Sequence, residues 1–299
     1  MSFQIETSRV VQFGQNFYQL AQQKGSRLRN CVMVDNSVTG KRMSMEQIGA
    51  TAAVRRTSRH GDTPLISTPH SRRWINLGTY EWADLVDQID KLQTITDPTS
   101  IYATNAASAF GRAMDDEIIA AATATATTGE EAGSTVSFPS GNIIAVNSWK
   151  YGTGSGNAGL TIAKLIEAKV LFDGAEAGIE PDEPRYIACS GKQIANLLST
   201  TEVTSEDYAS VKALVEGRVD KFMGFNFIRT ERLGTDASGY RKVLAWVKSG
   251  IGLAVQKEPV ARIGERADKK YAIQVYSEMS LGASRLEEAK VAQILCLES

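Results

Sequence analysis

The stretch from residue 41 to residue 73 constrains the fold most, because it is too polar to bury itself. It holds seven Lys or Arg residues and two acidic residues, a net charge of +5. Pro64, Pro69 and the pair Gly61-Asp62 interrupt it, which predicts an extended β-hairpin with an irregular tip. An arm of about 15 residues per strand would reach about 50 Å. Such a hairpin is marginal alone, so we expect it to lie on another surface.

An acidic block follows the basic one. Residues 81–97 hold five acidic residues and one lysine, a net charge of −4. Adjacent blocks of opposite charge predict pairing between copies of the chain, although a solvated loop with ordinary surface charges remains the alternative. The expected cationic contacts are Arg55, Arg56, Arg59, Arg72 and Arg73, and the expected acidic contacts are Glu81, Asp84, Asp87 and Asp90.

Exposed ion pairs contribute less than ~1 kcal/mol each, so assembly also needs apolar burial. Residues 8–24 predict an amphipathic helix with an apolar face. This helix packs either on its own domain or on a neighbouring subunit. The apolar side chains expected at the contacts between subunits are Val10, Phe13, Phe17 and Trp74.

A long helix is predicted from about residue 98 to residue 123, with Asp97 as its cap and Pro98 in its first turn. Its small, apolar stripe suits a structural spine against which another layer packs closely. The stripe consists of Ala103, Ala107, Phe110, Met114, Ile118 and Ala121. The side expected to face solvent carries Arg112, Asp115, Asp116 and Glu117.

The rest of the chain reads as mixed α/β followed by a strand-rich end. Residues 123–142 are of low complexity and predict a connector. Helices are predicted at 161–172, 191–199 and 205–216, with strands at 142–146, 185–190 and 225–229. Further strands are predicted at 241–248, 252–255, 260–263, 270–279 and 290–297.

Composition excludes several classes of protein. Lys and Arg number 33 against 34 Asp and Glu, a formal charge of −1, whereas dedicated nucleic-acid binders carry a basic excess. No apolar run is long enough for a membrane span, and the N-terminus lacks the pattern of a secretory signal. Three scattered cysteines predict a reduced, intracellular folding environment and no thiolate zinc site.

Three patterns suggest chemistry but do not assemble a catalytic site. Residues 154–159 fit GxGxxG, yet seven residues separate them from the preceding strand, so a flexible loop is the better interpretation. His60 and His70 flank Asp62 within an Arg-rich segment that disfavours a metal ion. Cys189 has no histidine near it in sequence and predicts a buried structural thiol. We expect no enzyme activity, no cofactor and no metal.

Several segments together resemble one protein family over nearly the whole chain. They are RTSRHGDTP (56–64), TPHSRRW (68–74), YEWADLVDQIDK (80–91), DPTSIYATNAASAFGRAMDD (97–116), DEPRYIACS (182–190), TTEVTSEDYASVKALVEGRVDKFMGFNFIRTERL (200–233) and SLGASRLEEAKV (280–291). In this order they resemble the major capsid protein of tailed bacteriophages, which has the Hong Kong 97-type fold.

The resemblance implies an α+β capsid fold with five parts. They are an N-terminal arm at 1–30, an extended E-loop hairpin at 31–82, a P-domain at 83–146 with the spine helix at about 98–123, an α/β A-domain at 147–243, and return strands of the P-domain at 244–299.

It also implies a function. Copies would form the hexamers and pentamers of an icosahedral shell that encloses double-stranded DNA without sequence-specific binding, assembled in the host bacterial cytoplasm and with no membrane partner. Because the sequence begins directly at the arm, a separate scaffolding protein is expected, together with a portal and possibly a cement protein. Two alternatives stay open: an encapsulin-like compartment shell around protein cargo, and a soluble α/β nucleotide-binding enzyme that uses the loop at 154–159.

Overall fold

The chain is seen in a computed structural model that describes residues 21–59, 61–86, 99–199 and 221–298. These residues form two compact units. The first comprises 21–26, 79–86, 99–112 and 257–280, and the second comprises the other described residues. Most of the predicted helix at 8–24, the Asp97 cap, His60 and the predicted helix at 205–216 lie outside the described residues.

The described elements mix helices with three sheets, as the α+β prediction requires. The helices are α1 (Thr99–Thr123), α2 (Ile162–Gly174) and α3 (Gly191–Leu198). The strands are β1 (Met33–Asp35), β2 (Arg42–Ile48), β3 (His70–Asn76), β4 (Gly78–Val86), β5 (Ala126–Thr128), β6 (Ser134–Val136), β7 (Ile143–Ile144), β8 (Arg185–Cys189), β9 (Lys221–Phe222), β10 (Phe225–Arg229), β11 (Arg241–Val247), β12 (Ile251–Arg266), β13 (Ala272–Arg285) and β14 (Val291–Cys296). The sheet orders are β1-β12-β13-β4, β7-β14-β11-β8-β10-β9 and β2-β3-β5-β6.

The six-stranded sheet carries the main core of the second unit. Strands β8 and β10 run parallel, whereas β11 is antiparallel to both of its neighbours, β8 and β14. Helices α2 and α3 cover its apolar side chains, and Phe172 of α2 packs against Phe225 of β10 with the ring centroids 6.0 Å apart. Both helices begin at a polar cap: the hydroxyls of Thr161 and Ser190 accept hydrogen bonds from backbone N–H groups.

Helix α1 has 25 residues and is therefore about 38 Å long, as the spine prediction required. Phe110, Met114 and Ile118 are buried at helical spacing, whereas Ala107 of the predicted stripe is exposed. Within the first unit, a Cβ on Gly111 would lie 2.3 Å from the carbonyl carbon of Gly25. A glycine in the middle of a helix is normally unfavourable, and here it allows another part of the backbone to pass against the helix.

The prediction that Asp115 faces solvent is wrong. Asp115 is fully buried, and its carboxylate accepts the backbone N–H groups of Arg27 and Leu28 at 3.1–3.2 Å. Sequence periodicity assigned Asp115 to the same exposed side of the helix as Asp116. Only Asp116 lies there: its side chain is 46% exposed and pairs with Arg232. The buried carboxylate satisfies two backbone donors that would otherwise lack acceptors.

The predicted connector at 123–142 contains a short hairpin instead of a featureless loop. Strands β5 and β6 pair antiparallel, and β5 continues the sheet of β3 through Trp74 opposite Thr127. The threonine-rich sequence has good β-propensity, and the edge of β3 supplies its partner. Low complexity was therefore a poor guide here.

Two strands predicted separately, at 252–255 and 260–263, form the single strand β12. Pro259 lies between them and lacks a backbone N–H. Within the described residues, β1 pairs with β12 only from Gly252 to Ala254, so Pro259 lies where that edge is open. Proline is tolerated in a strand where its missing N–H faces an open edge.

Buried charges fix the C-terminal end of the chain. Lys164 is fully buried, and its Nζ donates to the carbonyl oxygens of Ala158, Gly159 and Leu295; burial lowers its pKa. The carboxylate of Glu298 accepts hydrogen bonds from Arg241, Ser190 and Gln193. These bonds, with the one from Arg241 foremost, lower the pKa of Glu298 from 4.5 to about 2.

We predict that Glu298→Gln destabilises the protein by about 2 kcal/mol at pH 7, the usual value of a hydrogen bond to a charged group. Because the pKa of Glu298 is lowered on folding, its contribution is complete above pH 4.5 and is lost as the pH falls from 4.5 towards 2. The difference between wild type and variant in thermal unfolding should therefore shrink across that interval. Glu180→Gln, at an exposed carboxylate, is the control; equal effects of both variants would contradict the prediction.

Candidate inter-subunit surface

The basic stretch forms the hairpin that its sequence predicted. Strands β2 and β3 pair antiparallel from Arg42 opposite Asn76 to Ile48 opposite His70. The backbone N–H of Gly49 donates to the carbonyl of Pro69 at 2.9 Å and closes the ladder. Residues 49–59 and 61–69 beyond it contain no helix or strand, and we call them the tip. The regular part has seven residues per strand, about half the predicted length.

The tip exposes apolar side chains that the rest of the described chain does not cover. Leu65 is 98% exposed, Val54 61% and Ile66 48%. Every residue of the tip is exposed, so this segment has no core of its own. Contiguous exposed apolar groups on a soluble protein commonly mark an interaction surface.

Three of the predicted cationic residues lie in the tip. The side chains of Arg55, Arg56 and Arg59 are exposed, and within the described residues none of them forms an ion pair. Arg56 bonds back onto its own loop, where it donates to the carbonyl oxygens of Ser58 and Arg59. The tip therefore presents positive charge beside apolar surface.

Three other hairpin residues were expected to contact a neighbouring copy, namely Arg72, Arg73 and Trp74. All three lie at the base of the hairpin and contact their own chain. Arg72 pairs with the exposed Glu46 and stacks over the ring of Trp74 at 5.6 Å. The indole N–H of Trp74 donates to the carbonyl of Gly129 at 2.7 Å. Arg72 also donates to the carbonyl of Glu130 at 3.1 Å, so Arg72 and Trp74 both bind the hairpin to the rest of the second unit.

Arg73 requires a correction, because it is only 8% exposed and is not available to a neighbouring copy. Its Nε donates to the carbonyl of Leu286 at 3.0 Å, and its Nη2 to both carboxylate oxygens of Glu288 at 2.7–2.8 Å. Alternation along β3 places its side chain on the face that packs inward. The count of charges in this stretch could not distinguish the two faces of the strand.

A small apolar cluster completes the base. Ile75 is fully buried, and Met45 lies opposite Arg73 on the facing strand. The cluster consists of Val38, Met45, Ile75, Ala254 and Leu286, with Met43 and Leu77 packed against it. The hairpin is thus part of a core at its base, whereas no other described residue covers its tip.

The acidic candidates belong to the first unit or lie outside the described residues. Glu81 and Asp84 lie on β4 and are exposed, and Asp84 accepts the backbone N–H of Leu85 at 2.8 Å. The remaining candidates outside the described residues are Val10, Phe13, Phe17, Asp87 and Asp90. Their contacts stay predictions.

The glycine loop is shaped around a tryptophan. A Cβ on Gly154 would lie 2.4 Å from the ring of Trp149, and the indole N–H of Trp149 donates to the carbonyl of Gly156. Strand β7 ends ten residues before Gly154, and α2 begins only after its Thr161 cap. A dinucleotide loop needs the strand to lead directly into its first glycine, so this geometry differs from that motif.

The other candidate chemistry is equally unsupported by geometry. Burial raises the pKa of the Cys31 thiol to about 11 and those of Cys189 and Cys296 to about 12, which keeps them protonated at neutral pH. No group of three His, Cys, Asp or Glu side chains within the described residues is arranged to hold a metal ion. No helix in that part of the chain has the length and apolar character to cross a membrane.

Comparison with known families identifies the chain. Its sequence matches the phage capsid protein family over residues 5–298. The chain belongs to that family. A comparison with curated proteins gave no match.

Solved capsids share the fold of this capsid protein at low sequence identity. The capsid of Ralstonia phage GP4 matches with a TM-score of 0.74 and 10% identity, over 98% of this chain and 96% of that one. The head of Helicobacter pylori bacteriophage KHP40 gives 0.73 and 11%, over 99% of both chains. The capsid of cyanophage P-SCSP1u gives 0.71 and 17%, over 99% and 95%. The expected Hong Kong 97-type capsid fold is confirmed.

Sequence reasoning missed two residues of this capsid protein that act at the hairpin base, Arg285 and Glu288. Arg285 is fully buried. In the sequence it lies close to Glu287 and Glu288 and looks like an ordinary surface charge. Glu288 is one of two consecutive acids, and Glu287 is the more exposed of the pair. Residue spacing in the sequence does not indicate which of the two carboxylates pairs with the buried arginines.

We predict opposite outcomes for one apolar truncation at each end of the hairpin. Ile75→Ala removes a fully buried side chain and should destabilise the chain by about 2–5 kcal/mol. Leu65→Ala, at a side chain that is 98% exposed, should change the stability of the unassembled chain by less than about 0.5 kcal/mol. Denaturant unfolding of the full-length protein measures both. Similar losses would show that the tip packs within its own chain.

Proposed function

We propose that this chain is the major capsid protein of a tailed phage, and that its copies form the hexamers and pentamers of an icosahedral shell around double-stranded DNA. The observation that carries the proposal is the tip, because Val54, Leu65 and Ile66 are exposed beside three arginines. Membership of the phage capsid family supports the same function. A heterologous contact of this kind can propagate around a ring and close a shell.

The proposed contact joins the tip of one copy to β4 of the next. Arg55, Arg56 and Arg59 would face Glu81 and Asp84, with Asp87 and Asp90 extending the acidic surface along the chain. Such exposed pairs contribute little individually, so they set the register while apolar burial supplies most of the affinity. The N-terminal residues Val10, Phe13 and Phe17 are proposed to add to that burial.

The charge balance favours enclosure of DNA over direct binding. A protein that grips the phosphate backbone carries many Lys and Arg residues and releases counterions on binding. This chain has a formal charge of −1. We therefore expect DNA to be retained by the closed shell and not by sequence-specific contacts.

The remaining assignments follow from the same proposal. The parts are an N-terminal arm at 1–30, an E-loop at 31–82, a P-domain at 83–146 and 244–299, and an A-domain at 147–243. Assembly would occur in the host cytoplasm with a scaffolding protein, a portal and possibly a cement protein. The chain would act without enzyme activity.

Charge reversal at the tip tests the proposed contact. Arg55→Glu with Arg59→Glu should reduce the yield of sedimenting particles at least tenfold, because like charges would then face each other across the contact. The thermal unfolding of the unassembled variant should match wild type, since both side chains are exposed. The measurement is sucrose-gradient sedimentation of particles from cells that produce the phage proteins.

Two further variants make this test specific. Arg55→Lys with Arg59→Lys keeps the charge and should assemble like wild type. Adding Glu81→Arg and Asp84→Arg to the reversed tip should restore particles, because the pairs are then exchanged and not removed. Wild-type particle yield from the reversed tip would refute the contact, and failed rescue would refute β4 as its partner.

A further inference from the structure

Two buried guanidinium groups share one carboxylate at the base of the hairpin. Arg73 from β3 and Arg285 from the end of β13 have side chains that are 9% and 0% exposed. Oε2 of Glu288 lies 2.7 Å from Nη2 of Arg73, and Oε1 of Glu288 lies 3.5 Å from Nε of Arg285. Within the described residues, Glu288 is the only acidic side chain that pairs with either arginine.

Arg285 is fixed in place by hydrogen bonds to groups other than Glu288, with which it forms only an ion pair at 3.5 Å. Its Nη1 donates to the carbonyl oxygens of Ala122 and Ala124, which lie at the C-terminal end of α1 and directly after it. Its Nη2 donates to the carbonyl of Val136, and the guanidinium lies 5.1 Å from the ring centroid of Phe138. A cation at the C-terminus of a helix is also favoured by the helix dipole. Arg285 therefore stays buried whatever Glu288 does.

Arg73, unlike Arg285, has few hydrogen bonds that would hold it in the buried site without Glu288. Besides its bonds to Glu288 it donates one hydrogen bond, from Nε to the carbonyl of Leu286, and its Nη1 has no partner within the described residues. It lies on the hairpin, whose outer residues are exposed, so a small outward movement of β3 would hydrate its guanidinium. Without the carboxylate, two like charges would face each other in a site that excludes water.

We infer that Glu288 is a positioning residue that locks the hairpin against the rest of the second unit. It acts through Arg73: its negative charge holds one cation on the hairpin beside a second, immobile cation on the body of the unit. When that charge is removed, the base of the hairpin separates and the core of the six-stranded sheet does not. The lock is a property of the single chain and holds whether or not the proposed shell contact is correct.

Hydrogen exchange followed by mass spectrometry tests this lock on the full-length, unassembled protein. Glu288→Gln keeps the shape of the side chain and removes its charge, and amides of residues 42–48 and 70–76 should exchange at least tenfold faster. Amides of β8, β11 and β14 should exchange as in wild type. Glu287→Gln is the matched control, because Glu287 is 50% exposed and pairs with Lys290 instead.

Two more variants separate a lock from a general loss of stability. Glu288→Asp retains the charge and should recover most of the protection that Glu288→Gln loses. If Glu288→Gln does not fold, Arg73→Met decides: it leaves the Glu288–Arg285 pair intact and should speed exchange in the hairpin alone. Wild-type exchange of the hairpin in both Glu288→Gln and Arg73→Met, or uniform acceleration throughout the chain, would overturn the inference.

Discussion

The hairpin's attachment to its own subunit determines what this chain can do alone and what needs another copy. Its base is held by an apolar cluster around Ile75 and by charged groups that are almost completely buried. Such groups are stable only with close partners, which Arg73 finds in Glu288. A few residues further out, every described side chain of the tip is exposed, including Leu65. The same β-ladder therefore joins a fixed end to an end that no other described residue of the chain covers.

Much of the fold could be predicted from the sequence because local signals were strong. The start signal Asp97-Pro98 in the sequence placed α1 to within one residue of its observed start, and the predicted starts of α2 and α3 also lie within one residue of the observed ones. The strands predicted at 241–248 and 290–297 also appear where expected, whereas those at 252–255 and 260–263 form the single strand β12 and β13 runs past its predicted end. The hairpin followed from charge and turn residues, since such a segment cannot form a core.

The polar interior could not be predicted, because burial of a charge depends on partners distant in sequence. Asp115 was assigned to solvent, yet it binds the backbone of Arg27, which lies 88 residues earlier. Arg73 was expected to contact another copy, and instead it binds Glu288, which lies 215 residues later. Periodicity identifies a face of a helix or strand, but it cannot tell whether a charged side chain on that face meets a buried partner.

We propose above all that one copy covers the tip of another within a closed shell. Electron cryo-microscopy of particles purified from infected cells measures this most directly, because a map at side-chain resolution shows what contacts residues 49–59 and 61–69. We expect an icosahedral shell filled with double-stranded DNA, in which the tip lies on the adjacent copy beside Glu81 and Asp84. A shell in which the tip projects into solvent, a shell that encloses protein cargo, or a protein that forms only small oligomers with all assembly partners present would contradict it.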